Sequence, residues 1–388
     1  MRSSGIPQPK FFRLAIAAAG ALLAVASAIA QDLSIREYKP KSTLVVPEHP
    51  TPRAKYPVID IHNHLQNLTI ESWKRVVQEM DELNLRVLVN LSGGTGEALA
   101  ERIAFIKQSD TPDRMVFFAT LDFNDLDSPG YGRRAAARLE RDLDAGAKGL
   151  KIFKNLGLTV RRSNGERVTV DDPELSPVWE LCAQRGVPVL IHTGEPAPFF
   201  DPVDPRNERW LELQIHPGRR RPPGQFPSFE TLVAERNRLF ARHAKTTFIT
   251  AHMGFHANDL GRLGRLLDER PNVYVETGAI LAELGRQPRS ARSFFVKYQD
   301  RILFGKDAYR AAEYPYFWRV FETADEYFDY YRDYHAFWKL YGLDLPDNVL
   351  RRVYFGNALK LVSALDRRAF PATDGDATAA GPGSVLAK

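Results

Sequence analysis

The chain has 388 residues, 44% hydrophobic and 26% charged, which excludes disordered and fibrous classes and leaves room for one large domain. Glycine and proline number 26 each, so there is no collagen-like or low-complexity bulk. The net charge of +5 falls to +2 once Arg2, Lys10 and Arg13 of residues 1–30 are set aside, and +2 implies no nucleic-acid partner.

Those three cations precede an apolar run, Leu14–Ala26, and Ser27-Ala-Ile-Ala30 then offers a small-x-small pattern. The layout reads residues 1–30 as a secretory signal peptide, Gln31 as the new N-terminus and the product as exported, periplasmic or secreted. At 13 residues the run is short of the ~20 that a membrane-spanning helix needs, so no span is expected after its removal. No cysteine follows the cleavage position and no Arg-Arg pair precedes it, which argues against a lipid anchor and twin-arginine export. Residues 31–56 are polar and Pro-rich, and read as a lead-in packed on a domain surface.

From Pro57 short apolar runs alternate with amphipathic stretches. The expected strands are Val58–His62, Arg86–Leu91, Met115–Leu121, Gly149–Phe153, Val187–His192, Thr247–His252, Asn272–Glu276 and Ile302–Gly305. Their nearly continuous Val, Ile, Leu and Phe content suits parallel strands buried on both faces. Helical patterns fall between them at Glu71–Leu83, Glu97–Lys107, Tyr131–Ala145, Pro177–Arg185, Phe229–His243, Leu260–Glu269 and Ser290–Tyr298. Eight such units give an α/β fold, a (β/α)8 TIM barrel over residues 57–368. A doubly wound open sheet is the structural rival, but no Gly-x-Gly-x-x-Gly follows the first strand.

Two segments break the rhythm. Glu195–Pro227, after strand five, has no clear period and reads as a lid or binding loop. Tyr309–Tyr341, after strand eight, holds fourteen aromatic residues in thirty-three; a helical pair with an aromatic core is expected, and a substrate wall is the sharper alternative. The tail from 369 to 388 is expected to be disordered. The single cysteine, Cys182, sits mid-helix and reads as a buried, inert thiol.

Several of the nine histidines share one placement, the C-terminal end of an expected strand. His62 and His64 are two apart, so a strand points both rings to the same side. His192 ends strand five, His252 strand six, and Asp307 closes strand eight. In a parallel barrel those ends share one face, where active sites are built. Four imidazoles and a carboxylate in one mouth fit a divalent metal such as zinc, with room for water. His256 is a candidate supporting residue, His216 lies in the long loop, and His49, His243 and His335 read as surface or packing residues.

The segments Ile59–His64, Leu190–Thr193, Thr250–Gly254 and Leu303–Asp307 together resemble the amidohydrolase superfamily, and most closely its amidohydrolase-related branch of metal-dependent hydrolases and decarboxylases. Phe355–Leu359 is similar to the segment with which that branch ends, and the resemblance runs from Val58 to Leu361. It implies that His62, His64, His192 and Asp307 bind one metal ion. His252 becomes a ligand of a second ion or the acid/base residue, and Lys151 the candidate bridge between two ions. Lys154, Glu276 and Asp60 are implied as substrate contacts or supports of the ligands.

A metal-activated water would then cleave an amide, ester or lactone bond of a small molecule, with Asp307 and His252 moving protons. The same site suits non-oxidative decarboxylation of an aromatic or unsaturated acid, for which Lys154, Arg161 and Arg162 offer positive charge. A non-catalytic metal- or ligand-binding barrel is the alternative of another class. A barrel nuclease, with Asp122 as an added acidic ligand, is disfavoured by the near-neutral charge.

Overall fold

The computed structural model describes residues 33–335 and 338–372. The signal-like segment 1–30 and residues 373–388 of the expected tail lie outside the described residues. Two units are distinguished, ending and beginning at Val45 and Val46. The described part of the first is exposed and has one turn, in which the Glu37 and Tyr38 N–H groups donate to Ser34 O. Among the described residues no helix is long and apolar enough to cross a membrane.

The second unit carries the barrel. Its strands are β1 (Val58–His64), β2 (Leu85–Asn90), β3 (Met115–Phe117), β4 (Ala119–Thr120), β5 (Leu150–Ile152), β6 (Val189–Ile191), β7 (Phe248–Thr250), β8 (Val273–Glu276), β9 (Ile302–Leu303) and β10 (Asp307–Ala308). All neighbouring pairs among them are parallel. They form two sheets, in the orders β10-β1-β2-β3 and β4-β5-β6-β7-β8-β9. Only Phe118 separates β3 from β4, and only residues 304–306 separate β9 from β10. The Phe118 N–H donates to Asn90 O, Lys148 N–H to Phe117 O, and Ile61 N–H to Phe304 O, so the backbone ladder carries on across both breaks. Eight strand positions therefore follow one another around a (β/α)8 architecture.

The helices fall where the apolar spacing put them, at Ile70–Leu83, Gly96–Lys107, Tyr131–Ala145, Ser176–Arg185, Phe229–Arg242, Leu260–Glu269 and Pro288–Lys297. Ile70–Leu83 shows the local chemistry well. Thr69 and Ser72 cap its start reciprocally, Trp73, Val76, Met80 and Leu83 bury one face, and Asn84 ends it in a left-handed conformation. Cys182 is fully buried, and burial pushes its thiol up to about 12, as an inert packing residue requires.

Three expectations need correction. Glu195–Pro227 is not wholly aperiodic: it contains the helix Trp210–Ile215. Tyr309–Tyr341 is not a helical pair. Among its described residues it has one α-helix, Tyr314–Glu322, followed by an antiparallel pair, β11 (Phe328–Asp329) and β12 (Lys339–Leu340). The fold also reaches past residue 368, because Phe370 is buried and stacks on Phe355 at 5.4 Å.

Candidate metal centre and its cleft

β1 sends His62 and His64 to one side and Asn63 to the other, as the alternation demands. His62 is buried; its Nδ1–H donates to Glu276 Oε1 at 2.9 Å, which leaves the Nε2 lone pair free. His64 Nδ1 lies 2.8 Å from Ser92 Oγ, just beyond the end of β2. The two Nε2 atoms stand 3.2 Å apart. Asp307 Oδ1 is 3.3 Å from the first and 3.8 Å from the second. Asp307 reaches that place through a backbone φ of 88°, a strained conformation for a residue with a Cβ.

His252 follows β7 in an unusual turn. His252, Met253, Gly254 and Phe255 all have positive φ, at 57°, 50°, 61° and 56°. Two buried groups hold this turn. Glu276 Oε1 accepts the His252 N–H at 2.5 Å, and Arg236 donates to Gly254 O at 2.9 Å. A Cβ on Gly254 would stand 2.7 Å from an Arg236 nitrogen, so glycine serves both the dihedral and the close approach. His252 Nδ1–H donates to Gly278 O at 2.8 Å, and its Nε2 lies 3.3 Å from His192 Nδ1. His192 Nε2 is buried and has no hydrogen-bond partner among the described residues.

Glu276 thus gathers three donors: the His62 ring, the His252 N–H, and the Gly278 N–H at 2.6 Å. One buried carboxylate thus ties the His62 ring to the backbone of the turn that carries His252. A Cβ on Gly305 would meet Glu276 Oε2 at 2.2 Å, so that glycine makes room for the carboxylate. Asp60 acts through the backbone: its carboxylate accepts the N–H groups of His62 and Lys306 and the side chains of Asn63 and Tyr314. Burial raises Asp60 to about 6, against the pull of those donors.

Lys151, on β5, is buried with its Nζ 3.4 Å from His62 Nε2, and burial lowers it to about 8. Lys154 turns instead to Glu195, 2.7 Å away. Burial and the Lys151 charge hold His62 well below its ordinary value and bring His64 down to about 4. Burial and His252 do the same to His192. These rings are neutral at pH 7, as ligation requires. Burial would push Asp307 up, but the His62, His252, His64 and Lys151 side chains bring it to about 2.

This donor set fits a metal ion. The Nε2 atoms of His62 and His64 and a carboxylate oxygen of Asp307 converge on one point, with the Lys151 Nζ beside His62 Nε2. Two of the separations, 3.2 and 3.3 Å, match the roughly 3.3 Å between ligands that are each about 2.0 Å from a tetrahedral ion, and the third is wider at 3.8 Å. His62, His64 and Asp307 form one such group; His62, His252 and Glu276 form another, though there the carboxylate is already occupied. His192 is not part of either group, and meets the centre through His252.

A cleft of about 210 Å³ opens onto His192, His252 and Asp307, walled by Phe199, Phe255 and Tyr334 among others. The segment after β10 therefore divides its aromatics. Tyr314, Trp318 and Tyr354 pack around Phe304 as core, whereas Tyr334 reaches the cleft. Other sequence candidates lie elsewhere. Arg162 is spent on Asp172 and Glu174, Arg161 donates to Gly165 O, and Asp122 accepts from Asn124 N–H. His256 lies 3.4 Å from Arg236, His216 packs edge-on to Tyr334, and His49 pairs with Asp325. His335 takes the packing alternative of its reading: it is buried beside Arg209 and Glu212.

Ser92, Arg236 and Gly305 were not singled out from sequence. Ser92 follows the C-terminal end of β2, so the rule that found the histidines would have found it. Arg236 gave no signal, being one arginine in a charged helix.

A family model described as amidohydrolase matches residues 109–363, about two thirds of the chain, and the chain belongs to this family of enzymes. Among solved structures, it is similar to a 2,6-dihydroxybenzoate decarboxylase complexed with 2,6-dihydroxybenzoate (TM-score 0.51, 15% identity, 79% of this chain and 99% of the other). A dihydroxybenzoic acid decarboxylase from Polaromonas sp. JS666, with bound manganese and 2-nitroresorcinol, gives 0.51 at 16% identity, over 81% and 99%. A 2,6-dihydroxybenzoate decarboxylase from Rhizobium gives 0.50 at 15%, over 79% and 99%. At these identities the likeness concerns the fold. No curated protein matches the chain.

Proposed function

We propose that the protein is a metal-dependent hydrolase that cleaves an amide, ester or lactone bond of a small molecule in this cleft. The observation that carries the reading is the convergence of His62 Nε2, His64 Nε2 and Asp307 Oδ1 on one point. A divalent ion bound there, zinc by preference for imidazole and carboxylate, supplies a water acidified toward neutral pH and an electrophile for the substrate carbonyl.

The chain's residues do the rest. Glu276 and Ser92 fix the rings of His62 and His64, and His192 is the further imidazole within reach through its free Nε2. Asp307 stays ionised throughout the neutral range, which suits a ligand and makes it a weak base. His252, with Nδ1–H held by Gly278 O, is the group whose Nε2 takes a proton from the attacking water and returns it to the leaving group. Were a second ion bound, Lys151 would be the candidate bridge once its Nζ had added CO2 as a carbamate.

Decarboxylation is the second reading. The fold neighbours named above are decarboxylases of dihydroxybenzoic acids, one of them with manganese. Export after cleavage at Gln31 is part of the proposal and rests on residues 1–30 alone.

The test is metal content per chain in protein purified without chelators, followed by turnover of ester, lactone and amide panels in 18O-water. Solvent oxygen in the product supports hydrolysis. Release of CO2 with no solvent oxygen in the organic product selects decarboxylation. Failure to bind zinc or manganese after reconstitution overturns both. His62→Ala and Asp307→Asn should each lose metal and reduce turnover at least 100-fold, with circular dichroism unchanged.

A further inference from the structure

Four cationic side chains line the cleft: Lys154, Arg209, Arg219 and Arg332. Three are paired with carboxylates within it, although Glu195 also accepts from Arg221. Lys154 pairs with Glu195 at 2.7 Å, Arg209 with Glu212 at 2.8 Å and also with Glu283, and Arg219 with Glu212. Arg332 has no carboxylate within 4 Å among the described residues, and its side chain donates no hydrogen bond to them. Its guanidinium lies 5.5 Å from the centre of the Tyr331 ring, a contact that offers no countercharge. Arg332 is half-buried, and the one carboxylate whose charge acts on it, Asp307, stands beyond ion-pair distance, so no hydrogen-bonded countercharge meets its partly desolvated guanidinium.

The residue is held rather than loose. Its carbonyl accepts the His335 N–H, and His335 is buried against Arg209 and Glu212. Asp307, at the metal centre, lines the same cleft. The cleft therefore presents a reaction centre and, besides it, one unspent guanidinium.

We propose that Arg332 is the specificity-determining residue for substrate, receiving a carboxylate of the molecule whose reacting bond lies at the His62–His64–Asp307 centre. The proposal rests on the reading of that centre given above. A planar guanidinium matches a carboxylate through two parallel N–H donors. A phosphate dianion fits less well, because no second free cation lines the cleft and Glu195, Glu212 and Glu283 surround it. The substrate class is thus a small molecule with a carboxylate remote from the bond that reacts.

The test measures binding by calorimetry to the zinc-loaded full chain. The probes are isophthalate and adipate, each beside its mono-acid, benzoate and hexanoate. In the wild type at least one diacid should bind tenfold or more tightly than its mono-acid. Arg332→Met should abolish that gain while leaving mono-acid affinity and metal content unchanged, and Arg332→Lys should keep part of it. The proposal is overturned if neither diacid gains over its mono-acid, or if the gain survives Arg332→Met. It is also overturned if inorganic phosphate displaces the diacid at lower concentration than benzoate does. Failure of the reaction-centre reading looks different: mono-acid affinity would be indifferent to His62→Ala while the Arg332-dependent gain persisted.

Discussion

One carboxylate organises the candidate centre. Glu276 accepts from the His62 ring, the His252 backbone and the Gly278 backbone, so a change there disturbs two imidazoles at once. Glu276→Gln keeps the volume but sets an amide against three N–H donors, and one of its two terminal atoms can no longer accept. Loss of such an orienting partner typically weakens metal affinity 10–100-fold. Chelator competition on Glu276→Gln should show a loss of this size at unchanged secondary structure. Metal affinity within threefold of wild type would mean that His62 is oriented by something else. Sequence placed Glu276 at the mouth of the barrel, but its three partners come from β1, from the turn after β7 and from its own loop, a meeting that the strand's own residues do not encode.

The turn after β7 sets where His252 stands. Left-handed backbone costs about 1–2 kcal/mol for each residue with a Cβ, and His252, Met253 and Phe255 all adopt it. Arg236 offsets part of that cost by bonding Gly254 O from the helix Phe229–Arg242. Burial lowers the Arg236 guanidinium to about 9, still charged at pH 7. Gly254→Ala adds a fourth strained residue and a Cβ at 2.7 Å from Arg236. It should lower stability by about 1–2 kcal/mol or more and reduce kcat. Gly218→Ala, whose Cβ meets nothing within 4 Å, is the control and should change neither. Equal melting temperatures for the two variants would show the turn to be relaxed. The helix and strand flanking this turn were legible from hydrophobic period alone. The turn itself was not, because its conformation is imposed by contacts from distant residues.

At the scale of the molecule, the buried charges lining the cleft make stability depend on pH. Burial pushes Glu212 up, but the His335 hydrogen bond and the Arg209 charge outweigh it and lower the carboxyl to about 2, from an ordinary 4.5. A depressed carboxyl contributes stability that is present above pH 4.5 and lost as pH falls toward 2. At about 1.4 kcal/mol per pH unit, that contribution is on the order of 3 kcal/mol. Urea unfolding between pH 7 and pH 3 should therefore show wild type losing its advantage over Glu212→Gln as pH falls. A difference that stays constant with pH would mean that the carboxyl is not ionised against Arg209 and His335.

The sequence by itself determined the barrel, its strand ends and the identity of the residues gathered there. Burial on both faces demands continuous apolar runs, and strand ends of a parallel barrel share one face, so His62, His64, His192, His252 and Asp307 could be placed together from the sequence, while Lys151 came from the family resemblance. Only the tertiary structure decided how they divide: His62 and His64 with Asp307, His192 with His252, Lys151 toward the centre and Lys154 away to Glu195. The same holds for Tyr309–Tyr341, whose aromatics split between core and cleft wall, and for Arg332, left unpaired while its neighbours met carboxylates. The physical reason is that period and composition are local to the chain. Pairing of charges, orientation of rings and strain in turns depend on which distant segments arrive beside them.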